Sequence, residues 1–462
     1  MTTSRTAGLA IAAVTLLAGV ARSSGLGQPD RKVFDEVYYA SDGCWYAGID
    51  YRDCDLDADV ERSWVHPPLG KQLIALGVDA FGNRPLGWRA ASAAAGTATV
   101  ALVGVLGFLL FGSALWAGLA ALLASTEHLL FVQSRIAMLD IFLALFVVLG
   151  FTLLVADRKR ADLAAEPPRD LLDPVAGERS LGQRWRPLLL LSGASFGAAV
   201  AVKWSGVLAV GGAAVLAVAW ARSRARGWDR PLAMGLRREG PILYLGLLVV
   251  PLLAYSLTWV PWLADRGFDL VEWVRHHGDM AGYHLGLDTL GDDGQPIHPY
   301  MSGAWTWFLL LRPVAYFWRG DPSCCAEILG IGSPALFWGA LLFLPYLTVA
   351  WRSQRDWRAG AILVPVLSQF LPWLLVSRPL FLFYMTPVAP FLALGAVYAI
   401  RDIAEAGTAR WIAVPAAALL AVVAVGVFVY FWPVLTADSI SLEAWWGRIW
   451  FYRGPDLLPN WV

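Results

Sequence analysis

The chain has 462 residues, of which 58% are hydrophobic and 16% are charged, and its mean hydropathy is +0.55. A soluble domain averages about 25% charged residues, so this composition excludes a soluble globular protein and predicts an integral membrane protein. The 36 basic and 36 acidic residues give a net charge of zero. The positions of the charges are therefore more informative than their sum. We expect the lipid bilayer as the environment and no nucleic-acid partner.

Eleven apolar runs follow one another along the chain and predict a single all-α polytopic membrane domain over 1–462. The predicted spans are 7–24, 90–111, 114–132, 138–156, 187–202, 206–221, 241–261, 330–350, 360–376, 380–400 and 411–432. The first run is shorter than the roughly 20 residues of a standard span. With Arg5 before it and small residues after it, it also fits a cleaved signal peptide. We favour an uncleaved first helix.

Basic residues fall in alternate connections between these spans. They cluster at 158–160, 222–226, 237–238, 352–358 and 401. Because basic loops favour the cytoplasmic side, eleven spans put the N-terminus in the cytoplasm and the C-terminus outside the plasma membrane. The external segments are then a first loop at 25–88, a second loop at 262–329, a tail at 433–462 and three short connections at 133–137, 203–205 and 377–379. Within the loops, Leu69–Phe81 and the tryptophan-rich run 305–318 predict helices in the membrane interface.

All four cysteines, Cys44, Cys54, Cys324 and Cys325, fall in these external loops. An even number in one oxidising compartment is typical of disulfides. Cys44 and Cys54 would close a short acidic loop. Cys324 and Cys325 would form a vicinal bridge, or each would pair with the first loop. Four free thiols are the alternative.

Every histidine, and a set of isolated charges that border apolar runs, map to the predicted outer face. These residues are His66, His128, His276, His277, His284, His298, Arg89, Glu127, Arg135, Asp140, Lys203, Arg312 and Arg378. A charge at the bilayer centre costs at least about 2.5 kcal/mol; for Arg378 and Glu127, taken alone, interfacial anchoring is the favoured interpretation. Together, charges of both signs at one face predict a polar cavity that opens outward. A transporter would instead distribute its polar residues through the midplane.

Two adjacent acids, Asp35 and Glu36, stand just outside the first apolar segment. Neighbouring side chains point in different directions in a helix or a strand, so we expect separate roles. One carboxylate would act as a general base on an acceptor hydroxyl, and the other would form an orienting or structural ion pair. Arginine and lysine at bilayer depth suit a lipid-linked phosphate, because guanidinium groups match phosphate oxygens. Simple solvation of the two acids is the alternative.

An ordered series of short motifs runs from about residue 30 to the tail. It comprises Phe34-Asp35-Glu36, Val65-His66-Pro67-Pro68-Leu69-Gly70-Lys71, Gly87-Trp88-Arg89, Ser134-Arg135-Ile136-Ala137-Met138-Leu139-Asp140, Val202-Lys203-Trp204-Ser205-Gly206, His298-Pro299-Tyr300, Ser302, Trp305, Trp307 and Arg312-Pro313. In order and spacing, this series resembles the protein O-mannosyltransferases. The chain looks like a bacterial, actinobacterial member of that family.

The resemblance implies a C-type glycosyltransferase (GT-C) membrane fold. It also implies transfer of mannose from polyprenyl-phosphate-mannose to Ser/Thr hydroxyls of exported proteins, with inversion at the anomeric carbon. The family's acid pair opens its first external loop, which makes Asp35 and Glu36 the expected catalytic acids, with Asp35 as the base. By motif position, basic residues would bind the phosphate and lipid of the donor. These are Arg89, Lys203, Arg135, His66, Lys71 and His298.

The resemblance also bears on partners and cofactors. Only a few tens of residues follow His298 before the next span, too short for the β-trefoil insert of eukaryotic members, so we expect none. The Sec translocon is an expected partner of the family. We expect no cofactor and no metal, since no dense ligand set accompanies the acid pair. The main alternative is a lipid-linked sugar transferase with a glycolipid acceptor, which would share the early acid and the basic phosphate site.

Overall fold

The computed structural model describes residues 2–54, 64–165, 185–291, 294, 296–321, 324–405, 410–451 and 461. Parts of the predicted first loop and tail, 55–63 and 452–460, lie outside the described residues. Helices form most of the described chain. They are α1 Thr2–Ser23, α2 Glu36–Tyr46, α3 Leu69–Phe81, α4 Pro85–Phe111, α5 Ala114–Ser125, α6 His128–Gln133, α7 Asp140–Ala165, α8 Pro187–Val202, α9 Val207–Arg224, α10 Pro231–Tyr244, α11 Val250–Thr258, α12 Val260–Asp265, α13 Leu270–Leu285, α14 Pro334–Arg352, α15 Trp357–Phe370, α16 Ala389–Glu405, α17 Arg410–Thr436 and α18 Leu442–Trp446.

The helical membrane fold predicted from the apolar runs is confirmed. Within the described residues, eight helical segments are long and apolar enough to cross a bilayer. They are Ser4–Ser23, Pro85–Phe111, Asp140–Asp162, Trp204–Arg224, Pro231–Thr258, Pro334–Arg352, Trp357–Leu375 and Val414–Thr436. The three other predicted spans, at 114–132, 187–202 and 380–400, overlap with the shorter helices α5 and α6, α8, and α16, the last of which begins only at Ala389. The count of eleven therefore stays a prediction.

One face of the first helix packs against the rest of the protein. It lies against α4 and α5, and the fully buried Arg22 donates a hydrogen bond to the carbonyl oxygen of Ser125 (3.3 Å). One nitrogen of Arg135 donates to three carbonyl oxygens at the end of this helix, those of Ala21, Arg22 and Ser24. Removing the helix would leave that guanidinium without these partners, which supports a retained first helix.

The described part of the predicted first loop includes the α-helices α2 and α3 and a disulfide. The predicted helix at Leu69–Phe81 is confirmed, with the same bounds. The other helix, α2, follows Asp35 directly and carries Cys44, which is bonded to Cys54. Both sulfur atoms belong to fully buried residues, and Lys32 donates to the carbonyl oxygen of Cys54 (2.8 Å). The disulfide therefore fixes the far end of the helix that Asp35 begins.

The predicted interfacial helix at 305–318 is wrong. A 3₁₀ turn at Ala304–Leu309 ends at Leu310, whose φ of +56° is left-handed, and a strand, β1 Val314–Gly320, follows. This strand pairs antiparallel with β2 Cys324–Gly330, which pairs with the short β3 Ile440–Ser441. The aromatic and β-branched residues of 314–318 favour a pleated, half-buried strand over a helix. The tryptophans seen in the sequence are thus split between two elements.

The two remaining cysteines lie at the start of β2. Cys324 is partly exposed, Cys325 is buried, and both are free thiols. The structure therefore contains neither the vicinal bridge nor a pairing of these residues with the first loop.

Candidate functional site

Two adjoining chambers form a cavity where the loop after α1 meets the ends of α7 and α8. The larger chamber has a volume of about 430 Å³ and the smaller one about 190 Å³. They share a wall of five side chains: His66, Lys203, His284, Arg378 and Tyr384. One end of the cavity carries a carboxylate and the common wall carries two cationic side chains, so the site combines a base with an anion-binding surface.

Asp35 reaches the larger chamber through a strained turn. Phe34, the residue before it, has a φ of +47°, which is unfavourable for a bulky side chain. Its ring packs edge-on against Tyr316 and His298, with centroids 5.1 and 5.8 Å apart. Packing therefore maintains the strained conformation. Asp35 lines the chamber, whereas Glu36, the first residue of α2, is fully buried in the protein.

The electrostatic surroundings of Asp35 suit a general base. Burial raises the pKa of this carboxyl to about 6, with the nearby charge of Lys203 opposing the rise and that of Asp140 adding to it. The Tyr39 hydroxyl lies 3.5 Å from Oδ2, and burial, reinforced by the Asp35 charge, raises the pKa of Tyr39, so this hydroxyl stays protonated. At neutral pH, Asp35 is a carboxylate that is more basic than one in water, as proton abstraction requires.

Lys203 stands at a break between two helical segments. It follows the last residue of α8 with an extended backbone (φ −146°, ψ 138°). The chain then turns so tightly that a Cβ at Gly206 would lie 2.5 Å from the carbonyl carbon of Ala199. The Lys203 ammonium lies 3.0 and 2.9 Å from the two carboxylate oxygens of Asp140, the first residue of α7. This ion pair holds the ammonium on the wall between the chambers.

Arg378 is oriented by a histidine whose tautomer is defined by its partners. Nε2 of His284 lies 2.8 Å from the carbonyl oxygen of Val65, an acceptor only, so Nε2 carries the proton. Nδ1 then accepts a hydrogen bond from Nη1 of Arg378 (3.2 Å). Burial lowers the pKa of His284, which keeps the ring neutral. The guanidinium is the remaining positive charge on the shared wall, in addition to the Lys203–Asp140 pair.

His66 and His298, both predicted from the motif series, line the larger chamber. His66 also lines the smaller chamber and makes no hydrogen bond to the described residues. Burial, together with the charge of Lys203, lowers the pKa of His66, and burial lowers that of His298. Each ring is therefore neutral. His66 offers a ligand one N–H donor and one acceptor, whereas Nδ1 of His298 already accepts a hydrogen bond from the backbone N–H of Tyr300 (3.2 Å), so the His298 ring offers its Nε2 donor. Lys203, His66 and His298 thus stay candidate ligand-binding residues.

The structure corrects the roles expected for Glu36 and Arg89. Both side chains are fully buried and form an ion pair, with Nε and Nη2 of Arg89 each 2.8 Å from a Glu36 oxygen. Arg89 also donates to the carbonyl oxygens of Leu26, Pro29 and Arg31, which uses all five donors of the guanidinium. Arg89 thus has no donor left for a phosphate, and Glu36 is the structural ion pair rather than a base.

Three other predicted residues also lie away from the two chambers. The guanidinium of Arg135 binds carbonyl oxygens at the end of α1. Lys71 forms a buried ion pair with Asp42 (3.2 Å) and lines a separate cavity of about 90 Å³. Glu127, expected as an interfacial anchor, is fully buried and accepts hydrogen bonds from the backbone of Leu130 and Ser333. All three therefore stabilise the fold around the site.

Other site residues were not predicted from the sequence. Arg378, interpreted as an interfacial anchor, lines both chambers, as does Tyr384. Asp140 and His284 were noted as members of the polar set, and Asp140 also ends one of the motifs, but neither was given a role. Their pairing with Lys203 and Arg378 joins residues 63 and 94 positions apart. Tyr39 carries no charge. A local pattern contains no signal for such contacts.

The fold and site together define a membrane glycosyltransferase of the GT-C type. The model for dolichyl-phosphate-mannose-protein mannosyltransferases matches residues 85–259, and the model for the C-terminal four-helix region of protein O-mannosyltransferases matches residues 270–453. A polyprenol-phosphate-mannose–protein mannosyltransferase of Mycolicibacterium smegmatis is 32% identical, over 97% of this chain and 92% of the relative. That of Mycobacterium tuberculosis is also 32% identical, over 97% and 90%. The chain therefore belongs to the protein O-mannosyltransferase family.

Solved structures support the same fold. The Saccharomyces cerevisiae protein O-mannosyltransferase Pmt1–Pmt2 complex bound to the sugar donor is similar with a TM-score of 0.74 and 14% identity, covering 96% of this chain and 92% of that chain. ArnT from Cupriavidus metallidurans bound to undecaprenyl phosphate has a TM-score of 0.56 and 18% identity, over 92% and 76%. At these identities the likeness concerns the fold alone.

Proposed function

We propose that the protein transfers mannose from polyprenyl-phosphate-mannose to Ser or Thr hydroxyls of exported proteins, with inversion at the anomeric carbon. The observation that carries this proposal is the arrangement of the cavity: a free carboxylate of raised basicity on one chamber, and a wall with two cationic side chains shared with the next. The names of the actinobacterial relatives supply the substrate class.

On the acceptor side, Asp35 removes the proton from the attacking hydroxyl. Its carboxylate lines the larger chamber and is charged at neutral pH, since its pKa is about 6. The hydroxyl oxygen forms a bond to the anomeric carbon while the bond from that carbon to the phosphate oxygen breaks. The proton remains on Asp35 until it is released to water. A base that titrates near the working pH is well matched to this step.

On the donor side, the shared wall stabilises the leaving phosphate. A mannosyl phosphodiester carries one negative charge, and the phosphomonoester it leaves behind gains a second. Lys203 and Arg378 lie where the two chambers meet, so their charges act on the oxygen where this charge develops. Phosphate is a good leaving group, and no acid opposite Asp35 is required. We also propose that these cations, rather than a divalent metal, neutralise the phosphate; undiminished transfer in EDTA is the expected result.

The proposal includes an orientation. With the basic connections on the cytoplasmic side, the cavity opens to the outer face of the plasma membrane, and the N-terminus is cytoplasmic. Acceptor chains would reach the site as they leave the membrane, which makes the Sec translocon a plausible neighbour. The accessibility of Cys324 to an impermeant maleimide in intact cells tests the orientation, because this thiol is partly exposed and lies on the predicted outer side.

The test of function is transfer of labelled mannose from polyprenyl-phosphate-mannose in membranes that contain the native chain. The matched acceptors are a Ser/Thr-rich peptide and the same peptide with every Ser and Thr replaced by Ala. We expect label in the first peptide alone. Label that appears in a lipid instead of the peptide would replace the proposal with a glycolipid acceptor. Label in neither would refute the proposed reaction.

A further inference from the structure

The smaller chamber contains, besides the cations of the shared wall, a polar side chain that the mechanism above does not use. It is lined by Asp140, Lys203 and Arg378, and also by Gln369. Gln369 lies near the end of α15, inside the apolar segment Trp357–Leu375. A polar side chain in a membrane-spanning segment is costly, and such side chains usually face the protein interior or a cavity.

The amide of Gln369 has no partner for its nitrogen. The residue is 2% exposed, and Nε2 has no hydrogen-bond acceptor in the described part of the chain. Nε of Arg378, on the same chamber, is also buried and has no acceptor among the described residues. Buried donors are almost always satisfied in folded proteins. Two unsatisfied donors on one chamber therefore indicate a ligand that supplies acceptor oxygens.

The charges of the chamber indicate the class of that ligand. Lys203 and Asp140 form an ion pair (2.9 Å) that has no net charge, although its ammonium still lines the chamber, whereas the described partner of Arg378 is the neutral ring of His284. One positive charge remains, so the chamber favours an anion. The walls also include apolar side chains, among them Leu143 and Trp373. An anionic head group joined to a hydrocarbon chain fits this combination.

We propose that Gln369 donates a hydrogen bond to the phosphate of the prenyl carrier and positions it beside Arg378. The proposal rests on the proposed function, which supplies a prenyl phosphate as donor and product. A neutral amide adds a directed N–H donor without adding charge, and rotation about its terminal bond allows the donor to follow a phosphate oxygen. Gln369 is thus a substrate-binding residue of the donor half-site and has no contact with the acceptor.

The test compares the native chain with Gln369→Leu, which keeps the size and removes the donor, and Gln369→Glu, which keeps the shape and replaces the donor with an acid. Ser368→Ala is the matched control, because this neighbouring hydroxyl already donates to Pro365 (3.2 Å). Binding of polyprenyl phosphate, KM for polyprenyl-phosphate-mannose and KM for the peptide are measured for each. The unfolding temperature of each variant shows whether it is folded. If Gln369→Leu is unstable, the conclusion is drawn from Gln369→Glu.

For Gln369→Leu we expect polyprenyl phosphate affinity to fall, and the donor KM to rise, by about 10- to 100-fold, the range for a hydrogen bond to a charged group. Gln369→Glu loses more, Ser368→Ala is unchanged, and the peptide KM stays constant in all three. Native affinity for polyprenyl phosphate in a stable Gln369→Leu or Gln369→Glu variant would overturn the role assigned to Gln369 but not the proposed donor. If the native chain bound no polyprenyl phosphate, the proposed donor itself would be refuted, and this assignment with it. Equal binding of the matching prenyl alcohol would also overturn it.

Discussion

Replacing Glu36 by Gln tests whether the two adjacent acids have different roles, with Glu36 stabilising the fold and Asp35 acting as the base. Each oxygen of Glu36 accepts two hydrogen bonds: Oε1 from Arg89 Nε (2.8 Å) and the Ala137 amide (2.7 Å), Oε2 from Arg89 Nη2 (2.8 Å) and the Val33 amide (2.9 Å). A glutamine NH₂ in either position leaves two donors without an acceptor, at about 1–3 kcal/mol each. The guanidinium also loses its counter-charge but keeps three carbonyl partners.

The expected cost is about 3–5 kcal/mol of unfolding free energy, the range for breaking a buried ion pair. The assay is unfolding of the purified protein by SDS titration in mixed micelles. Asp35→Asn is the matched control, because it changes the neighbouring acid in the same way. Since burial raises the pKa of Asp35, the fold disfavours its charge, and the neutral variant should be as stable as the native chain or more so. A Glu36→Gln variant of native stability would refute the structural role assigned to Glu36.

Three further predictions follow from the site and its support. Transfer by the native chain should fall as the pH drops through about 6, because Asp35 then becomes protonated; a pH–rate profile that is flat between 5 and 7.5 would contradict this. Arg378→Lys should raise the donor KM about tenfold or more while the peptide KM stays constant, since an ammonium cannot reproduce the planar fork beside His284; steady-state kinetics for each substrate measure this. Replacing Cys44 and Cys54 together by Ala should lower the unfolding free energy by roughly 2–3 kcal/mol, as expected for loss of a short disulfide loop; unchanged unfolding of the double variant would disprove a stabilising role.

The membrane helices could be predicted because apolar composition and length alone determine whether a segment is suited to a bilayer. The strand Val314–Gly320 could not, since its aromatic residues suit an interfacial helix equally well until the pairing with Cys324–Gly330 is known. Pairing partners distant along the chain carry no local signal.

Contacts between residues that are distant along the chain also limited the prediction of the site. The sequence predicted that Asp35 and Glu36 have separate roles, because neighbours point in different directions. The motif series favoured Asp35 as the base, but only the contact with Arg89 identifies Glu36 as the ion pair. Arg378 was interpreted as an interfacial anchor, because its contact with His284, 94 residues away, leaves no local signal in the sequence. Gln369 carries no charge and lies within an apolar run, so no sequence pattern distinguishes it as a site residue.

Transfer of mannose to a Ser/Thr-rich peptide, compared between the native chain and Asp35→Asn at equal amounts of folded protein, tests the central claim most directly. Loss of a general base costs typically about 10²- to 10⁴-fold in rate. We expect a loss in that range for Asp35→Asn, with the donor KM nearly unchanged because the shared wall of Lys203 and Arg378 remains intact. Native transfer by Asp35→Asn would contradict the proposed mechanism.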